Sequence, residues 1–352
     1  MKYYHNLDGM RGLAALMVLV QHFFFSKNVD YLDQLIDYQK FAQVGQHGVS
    51  LFFCLSGFVI TRILIKTRRD NGYFINFYKR RALRIFPLYY LFLVVYYFIF
   101  PFLFNENIVE FKLQIPYYFY LQNITEIMSF DASGPIHYWS LAVEEHFYLI
   151  WPFAVLILQP KHIGKLIIIS VLIIFVLKYY MLNIGLSINY FTFTRIDQIM
   201  IGAFLAILEM RNFFNRKGAL KRFLLMLVIL FPLGAIVNFI SSDLYYLKEM
   251  LKYPILGLFF FGLIGVLISM SENHIINRIL KSKILQYLGR ISYGIYVWHI
   301  LALGILNRIY ISRILFLDFF LSVILTILLA HFSYYYFEKY FLQFKYKSGD
   351  LK

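Results

Sequence analysis

Ten long apolar runs dominate this sequence of 352 residues. Each has the roughly 17 to 25 residues that an α-helix needs to cross about 30 Å of hydrocarbon. A helix satisfies its own backbone hydrogen bonds, which lipid cannot do. The sequence therefore predicts an all-α integral membrane protein, a bundle of about ten transmembrane helices that forms a single domain over residues 1–352. The predicted spans are approximately 9–26, 43–65, 84–104, 139–158, 163–182, 191–210, 222–241, 254–270, 285–307 and 314–337.

Composition and charge narrow the class of protein. Hydrophobic residues make up 61% of the chain, and this excludes an ordinary soluble domain. The net charge of +15 could suggest a nucleic-acid partner, but the cations fall in short clusters between apolar runs, so we expect none. With a cytoplasmic N-terminus, about 25 of the 34 Lys and Arg residues flank the cytoplasmic side, and the acidic segment 28–37 lies opposite. We therefore predict that both termini are cytoplasmic.

The loop over 105–138 is the longest connection between predicted spans, and it contains the apolar stretch IPYYFYLQNI. This stretch is too short to cross the hydrocarbon, so we expect it to lie in the interface or to fold back.

The first apolar run carries two polar side chains that lipid would disfavour. Arg11 and His22 are 11 positions apart, which is close to three helical turns and roughly 16 Å of rise. They should share one face at opposite depths, with Asp8 as the N-cap of the helix. Each could be only an interfacial side chain. The alternative hypothesis places Arg11 on the path of a donor and gives His22 the role of general base.

The segment HYWSLAVEEHFYLIWPF places two carboxylates in a predicted span. Ser140 and Glu144 stand at i and i+4, so they share a helix face. The first span runs outward and the fourth inward, which predicts that His22 and Glu144 lie at similar depth, with the carboxylate orienting the imidazole. Glu145 should point to another helix and pair with Arg195. A purely structural alternative keeps both acids above the hydrocarbon.

Two further pairs of charged residues could bind a ligand. Arg81 and Arg84 stand at i and i+3 on the predicted cytoplasmic side. They could be positive-inside anchors, but paired guanidinium groups also suit phosphates. Arg195 and Asp197 begin the sixth span, where they could support the substrate or form an internal salt bridge.

We expect no metal. His22, His47, His137 and His146 could meet on the outer side, but they show no ligand spacing typical of zinc sites.

With these segments laid out, the chain resembles the acyltransferase 3 family of integral membrane O-acyltransferases. The resemblance covers nearly the whole chain and rests on six segments in a fixed order: LDGMRGLAALMVLVQH, GVSLFFCLSGFVITR, FYKRRALRIFPLYYL, YWSLAVEEHFYLIWP, RIDQIMIGAFLA and LGRISYGIYVWH. Two positions depart from the family pattern, since His146 stands where Gln is common and Ser50 where an acid is frequent. The departures concern acceptor binding rather than the class of reaction.

The resemblance implies a reaction and its participants. An acyl group, commonly acetyl, would move from cytoplasmic acetyl-CoA or another acyl-CoA to a hydroxyl of a carbohydrate. That acceptor would be an envelope polysaccharide, a lipid-linked sugar or an exported sugar. Arg11, Arg81 and Arg84 would bind the donor, and His22 with Glu144 and Ser140 would be catalytic. The protein would be a multi-pass protein of a bacterial inner or cytoplasmic membrane, in direct contact with the lipid bilayer.

Two expectations complete this interpretation. Many relatives carry an appended esterase-like domain, and we expect this chain to act as a membrane domain without one. The main alternative is an exporter of polysaccharide or lipid-linked sugar, since buried charge in ten spans also suits a transporter. Binding of coenzyme A would distinguish the two, because an exporter should show none.

Overall fold

The computed structural model describes residues 2–26, 38–128, 130–238, 240, 244–309 and 315–345, so the acidic segment 28–37 lies outside the described residues. The described chain is helical and contains no strand, as the sequence predicts. Its α-helices are α1 (His5–Ser26), α2 (Tyr38–Thr67), α3 (Tyr73–Val94), α4 (Phe100–Phe104), α5 (Phe111–Tyr118), α6 (Thr125–Met128), α7 (Trp139–Ile157), α8 (Pro160–Asn183), α9 (Thr192–Met210), α10 (Ala219–Asn238), α11 (Tyr245–Ser269), α12 (Ile275–Leu280), α13 (Lys283–Arg290), α14 (Ser292–Ile309), α15 (Leu315–Phe332) and α16 (Lys339–Leu342).

The candidate membrane-spanning helices among the described residues correspond closely to the ten spans that the sequence predicts. Among the described residues, eight helical segments are long and apolar enough to cross a membrane, and the bent pair α13 and α14 makes a ninth. The predicted sixth span, 191–210, forms α9, which carries charged side chains at Arg195, Asp197 and Glu209. Most of α9 is buried against protein. Its composition therefore reflects contact with other helices rather than with lipid.

Three local features differ from the sequence predictions. Helix α1 begins at His5, so Asp8 lies in its first turn and is not the N-cap. Helix α3 begins at Tyr73, after Gly72 with its positive φ of 77°, and continues through Pro87. The arginines 81 and 84 are therefore inside a helix rather than before one. The predicted span 285–307 bends by 71° between α13 and α14, where the hydroxyl of Ser292 donates to the carbonyl of Gly289 at 2.9 Å.

Close packing between α2 and α9 holds the centre of the bundle together. A Cβ atom at Gly57 would overlap the carbonyl of Ile199, and one at Gly202 would overlap the backbone of Cys54. Such small residues let helix backbones approach closely in membranes. Helix α1 packs against the other side of α2 and also against α13 and α14. Polar residues on α1 are consequently enclosed by protein on several sides.

The long loop folds back onto α3, which is one of the two arrangements that the sequence allows. Its helix α5 has eight residues, too few to cross the hydrocarbon. Hydroxyls of Tyr89 and Tyr90 donate to the carbonyls of Tyr117 and Tyr118 at 2.6 and 3.0 Å. These bonds fix the loop against the side of the bundle.

Candidate functional site

Two cavities lie towards opposite ends of α1. We call the first the arginine cavity: it measures about 170 Å³ and its polar lining comes from Arg11, Ser56, Arg81, Arg84, Ser140, Glu144, Glu145, Tyr148, Ser292, Tyr293 and Tyr296. We call the second the histidine cavity: it measures about 590 Å³, and its lining includes Gln21, His22, His47, His137, Trp139, Asn189, Tyr190, Arg195, Tyr245, Glu249, Lys252, Tyr253 and Tyr296. The spacing of Arg11 and His22 along α1 thus places them in different cavities.

Three arginines from two helices converge in the arginine cavity. Arg11 comes from the first half of α1, and Arg81 with Arg84 come from one face of α3. The guanidinium of Arg81 lies 4.8 Å from the ring centre of Tyr148, a cation–π contact that fixes its position. The structure thus brings these three cations to one cavity, and their planar groups suit phosphate oxygens.

Both glutamates of α7 line the same cavity. Glu144 accepts hydrogen bonds from Ser56 at 2.9 Å and from Tyr148 at 2.7 Å, one on each carboxylate oxygen. Glu145 also lines this cavity, and its buried Oε1 has no hydrogen-bond partner among the described residues. The prediction that Glu145 points away from Glu144 to another helix is wrong, because the cavity is wide enough to contact two adjacent positions.

A further cavity of about 390 Å³ adjoins the arginine cavity and shares Arg11, Arg84 and Tyr293 with it. It adds Arg290 from the end of α13 and Asp8, whose carboxylate lies 3.9 Å from Arg11. The hydroxyl of Tyr3 donates to Asp8 at 2.6 Å. Burial, together with this hydrogen bond, raises the pKa of Tyr3 to about 12. Tyr3 therefore stays a protonated donor at neutral pH and holds Asp8 at the edge of the cavity.

The hydrogen bonds around His22 determine its tautomer. Nδ1 of the fully buried His299 lies 2.6 Å from the carbonyl of Tyr296, which can only accept, so this nitrogen carries the proton and Nε2 accepts. Nδ1 of His22 lies 3.0 Å from the carbonyl of Val18 and 3.1 Å from Nε2 of His299. Both neighbours are acceptors, so Nδ1 of His22 is protonated. Nε2 of the neutral ring is left as the basic nitrogen.

The structure does not bring His22 and Glu144 together, contrary to the sequence prediction. Tyr296 lines both cavities, and its hydroxyl forms a hydrogen bond with Ser140 and donates to the carbonyl of His137 at 2.7 Å. Tyr296 therefore forms a barrier between the two cavities, and Ser140 contacts its hydroxyl. Glu144 lies one turn, about 6 Å, further along α7 towards the arginines. His299 occupies the orienting position that the sequence assigned to Glu144.

Arg195 and Asp197 also have partners that differ from the predicted ones. Asp197 forms a buried ion pair with Lys178 of α8 at 2.5 Å, so it is not paired with Arg195. Arg195 lies against the ring of Tyr253, with 3.4 Å between the guanidinium carbon and the ring centre. It lines the histidine cavity, whereas its predicted partner Glu145 lines the other cavity. No sequence pattern pointed to Lys178, which stands alone in an apolar run.

Three histidine rings pack together where the histidine cavity meets the barrier. The ring centres of His22 and His137 are each 4.8 Å from that of His299. No group of three or more His, Cys, Asp or Glu side chains in the described ranges is arranged to hold a metal ion. Tyr296 and His299 were missed as functional residues, although their segment LGRISYGIYVWH was recognised, because a sequence does not show which helices contact His22.

Comparison with known sequences identifies the family. The sequence model of an acyltransferase domain, that of acyltransferase 3, matches residues 4–335. This chain belongs to the acyltransferase 3 family.

Relatives within the acyltransferase 3 family include two proteins of Staphylococcus aureus. The chain is 26% identical over 367 residues to O-acetyltransferase OatA of strain NCTC 8325. It is 27% identical over 372 residues to a putative O-acetyltransferase of strain COL. Each match covers 96% of this chain and 57% of the relative, so the chain spans little more than half the length of these relatives. No solved structure is significantly similar to the chain.

Proposed function

We propose that this protein is a membrane O-acyltransferase that moves an acyl group, typically acetyl, from acyl-CoA to a hydroxyl of a cell-envelope or exported carbohydrate. The observation that carries the proposal is the pairing of two cavities in one bundle of the acyltransferase 3 family. One cavity gathers three arginines, the other holds His22, and Tyr296 lines both. The O-acetyltransferases among the relatives support the choice of acetyl.

The arginine cavity is the proposed donor site. Arg81 and Arg84 would bind coenzyme A phosphates. Arg11 would also bind a phosphate, in the adjoining cavity, which is lined by Arg11 and Arg84. In the described part of the chain neither Arg81 nor Arg84 is in an ion pair, which leaves their donors for a ligand. Glu144 acts as a positioning residue here. Its bonds to Ser56 and Tyr148 hold the tyrosine ring under Arg81.

His22 is the proposed general base. Nε2 of His22 takes the proton of the acceptor hydroxyl, and the hydroxyl oxygen forms a bond to the thioester carbonyl carbon as the carbon–sulfur bond breaks. The proton then passes from His22 to the leaving coenzyme A thiolate, so the charges balance. His299 holds the productive tautomer throughout. Ser140 acts through the hydroxyl of Tyr296, at the barrier that the acyl group must pass.

The same proposal assigns an orientation. Coenzyme A is cytoplasmic, so the arginine cavity and the N-terminus would face the cytoplasm, in agreement with the positive-inside distribution of Lys and Arg. The histidine cavity would then face the outer side of a bacterial cytoplasmic membrane, where envelope carbohydrate is found. The acyl group thus crosses the membrane inside the bundle.

The test uses the full chain reconstituted in lipid vesicles with labelled acetyl-CoA and an oligosaccharide acceptor. The parent protein should transfer label to the sugar, and His22→Ala should abolish transfer while binding acetyl-CoA normally, because general-base catalysis contributes about 10²- to 10⁴-fold. The matched control is His162→Ala, which removes an exposed histidine at the start of α8. Full transfer by His22→Ala at equal folded protein would refute the catalytic assignment, and absence of coenzyme A binding by the parent would favour an exporter.

A further inference from the structure

The histidine cavity contains a buried guanidinium that has no carboxylate partner among the residues that the structure describes. Arg195 is 3% exposed, and its Nε and Nη1 atoms have no hydrogen-bond partner among the described residues. Aromatic rings surround its planar face: Tyr253 at 3.4 Å and Trp139 at 5.3 Å from the guanidinium carbon. The faces of these rings fix the orientation of the group but accept no hydrogen bond from Nε or Nη1.

The nearby acidic residues do not satisfy Arg195. Asp197 is engaged by Lys178 and by the backbone NH of Gln198. Glu249 lines the same cavity and is the acidic group that faces it. No ion pair links it to Arg195 in the part of the chain that the structure describes. Lys252 adds a second cation to the lining. Among the described residues, the lining of the cavity therefore presents two cations, Arg195 and Lys252, against one carboxylate, Glu249.

A buried charge without hydrogen bonds is unfavourable unless a ligand completes it. The planar edge of a guanidinium fits the two oxygens of a carboxylate or a phosphate. We infer that the acceptor bound in the histidine cavity is an anionic carbohydrate whose carboxylate or phosphate group binds Arg195. This inference rests on the proposed function, because it takes the histidine cavity as the acceptor site. Trp139 and Tyr190 give the same cavity flat apolar walls against which a sugar ring can lie.

The experiment compares three oligosaccharide acceptors of equal length: one neutral, one bearing a carboxylate and one bearing a phosphate. The parent protein in lipid vesicles should acetylate an anionic acceptor with a KM about ten- to a hundredfold below that of the neutral one. The two anionic arms show which group is preferred. Arg195→Gln should raise the KM for the anionic acceptor by a similar factor and change kcat less. Lys165→Gln, which removes an exposed lysine of α8, is the control.

The outcomes separate this inference from the proposed function. Equal KM values for the neutral and anionic acceptors in the parent protein would overturn the inference and leave the proposed function intact, and this comparison does not depend on the folding of a variant. An equal rise in KM for all three acceptors in Arg195→Gln would also overturn it, since that pattern indicates a structural role. Transfer to none of the acceptors would contradict both proposals.

Discussion

The buried ion pair between Lys178 and Asp197 should couple the stabilities of α8 and α9. Both side chains are at most 1% exposed, and their charged atoms are 2.5 Å apart. Asp197→Leu would leave the ammonium of Lys178 buried without a partner. Breaking a buried pair from one side costs about 3–5 kcal/mol. At about 2–4 °C per kcal/mol for large domains, the midpoint of thermal unfolding should fall by about 6–20 °C.

Lys178→Met should be less damaging, because the Oδ1 atom of Asp197 keeps its hydrogen bond from the backbone NH of Gln198 at 2.8 Å. The double variant Lys178→Met/Asp197→Leu removes both charges together and leaves neither side chain as an unpaired buried ion, so it should unfold within about 1 kcal/mol of the parent protein or be more stable. The assay is thermal unfolding of the detergent-solubilised protein, followed by retention of the monodisperse peak after heating. If the double variant loses as much as the two single variants together, the pair is not coupled and the reasoning is refuted.

Three further results are expected. Arg81→Gln and Arg84→Gln should each raise the KM for acetyl-CoA about tenfold or more through lost phosphate contacts; unchanged donor affinity would make both residues simple membrane anchors. His299→Gln should lower kcat about 10-fold or more without changing donor affinity, because the tautomer of His22 is no longer fixed; full activity would show that Val18 alone orients the ring. Gly57→Val should destabilise the fold by about 1–3 kcal/mol in thermal unfolding, because its side chain meets the backbone of α9. Gly234→Ala, with its nearest neighbour at 3.8 Å, should have little effect.

The sequence by itself determined the class of the protein and the relative positions of Arg11 and His22 along the first span. Long apolar runs can only be helices in lipid, and helix geometry fixes the rise between two positions of one run. Arg11 and His22 were therefore predicted at opposite depths, and the structure places them in cavities at opposite ends of α1. The six ordered segments were sufficient to indicate the family, which the comparison confirms.

Only the tertiary structure decided which side chains are partners, because contacts between helices depend on their rotation and tilt. Depth alone could not show that Tyr296 separates His22 from Glu144. The isolated position of Lys178 in an apolar run could not show that Asp197 on the neighbouring helix is its partner. The surroundings of Arg195 depend on helix packing in the same way. Because α9 packs against α8, Asp197 pairs with Lys178. Arg195 contacts aromatic rings instead, and it lines the histidine cavity.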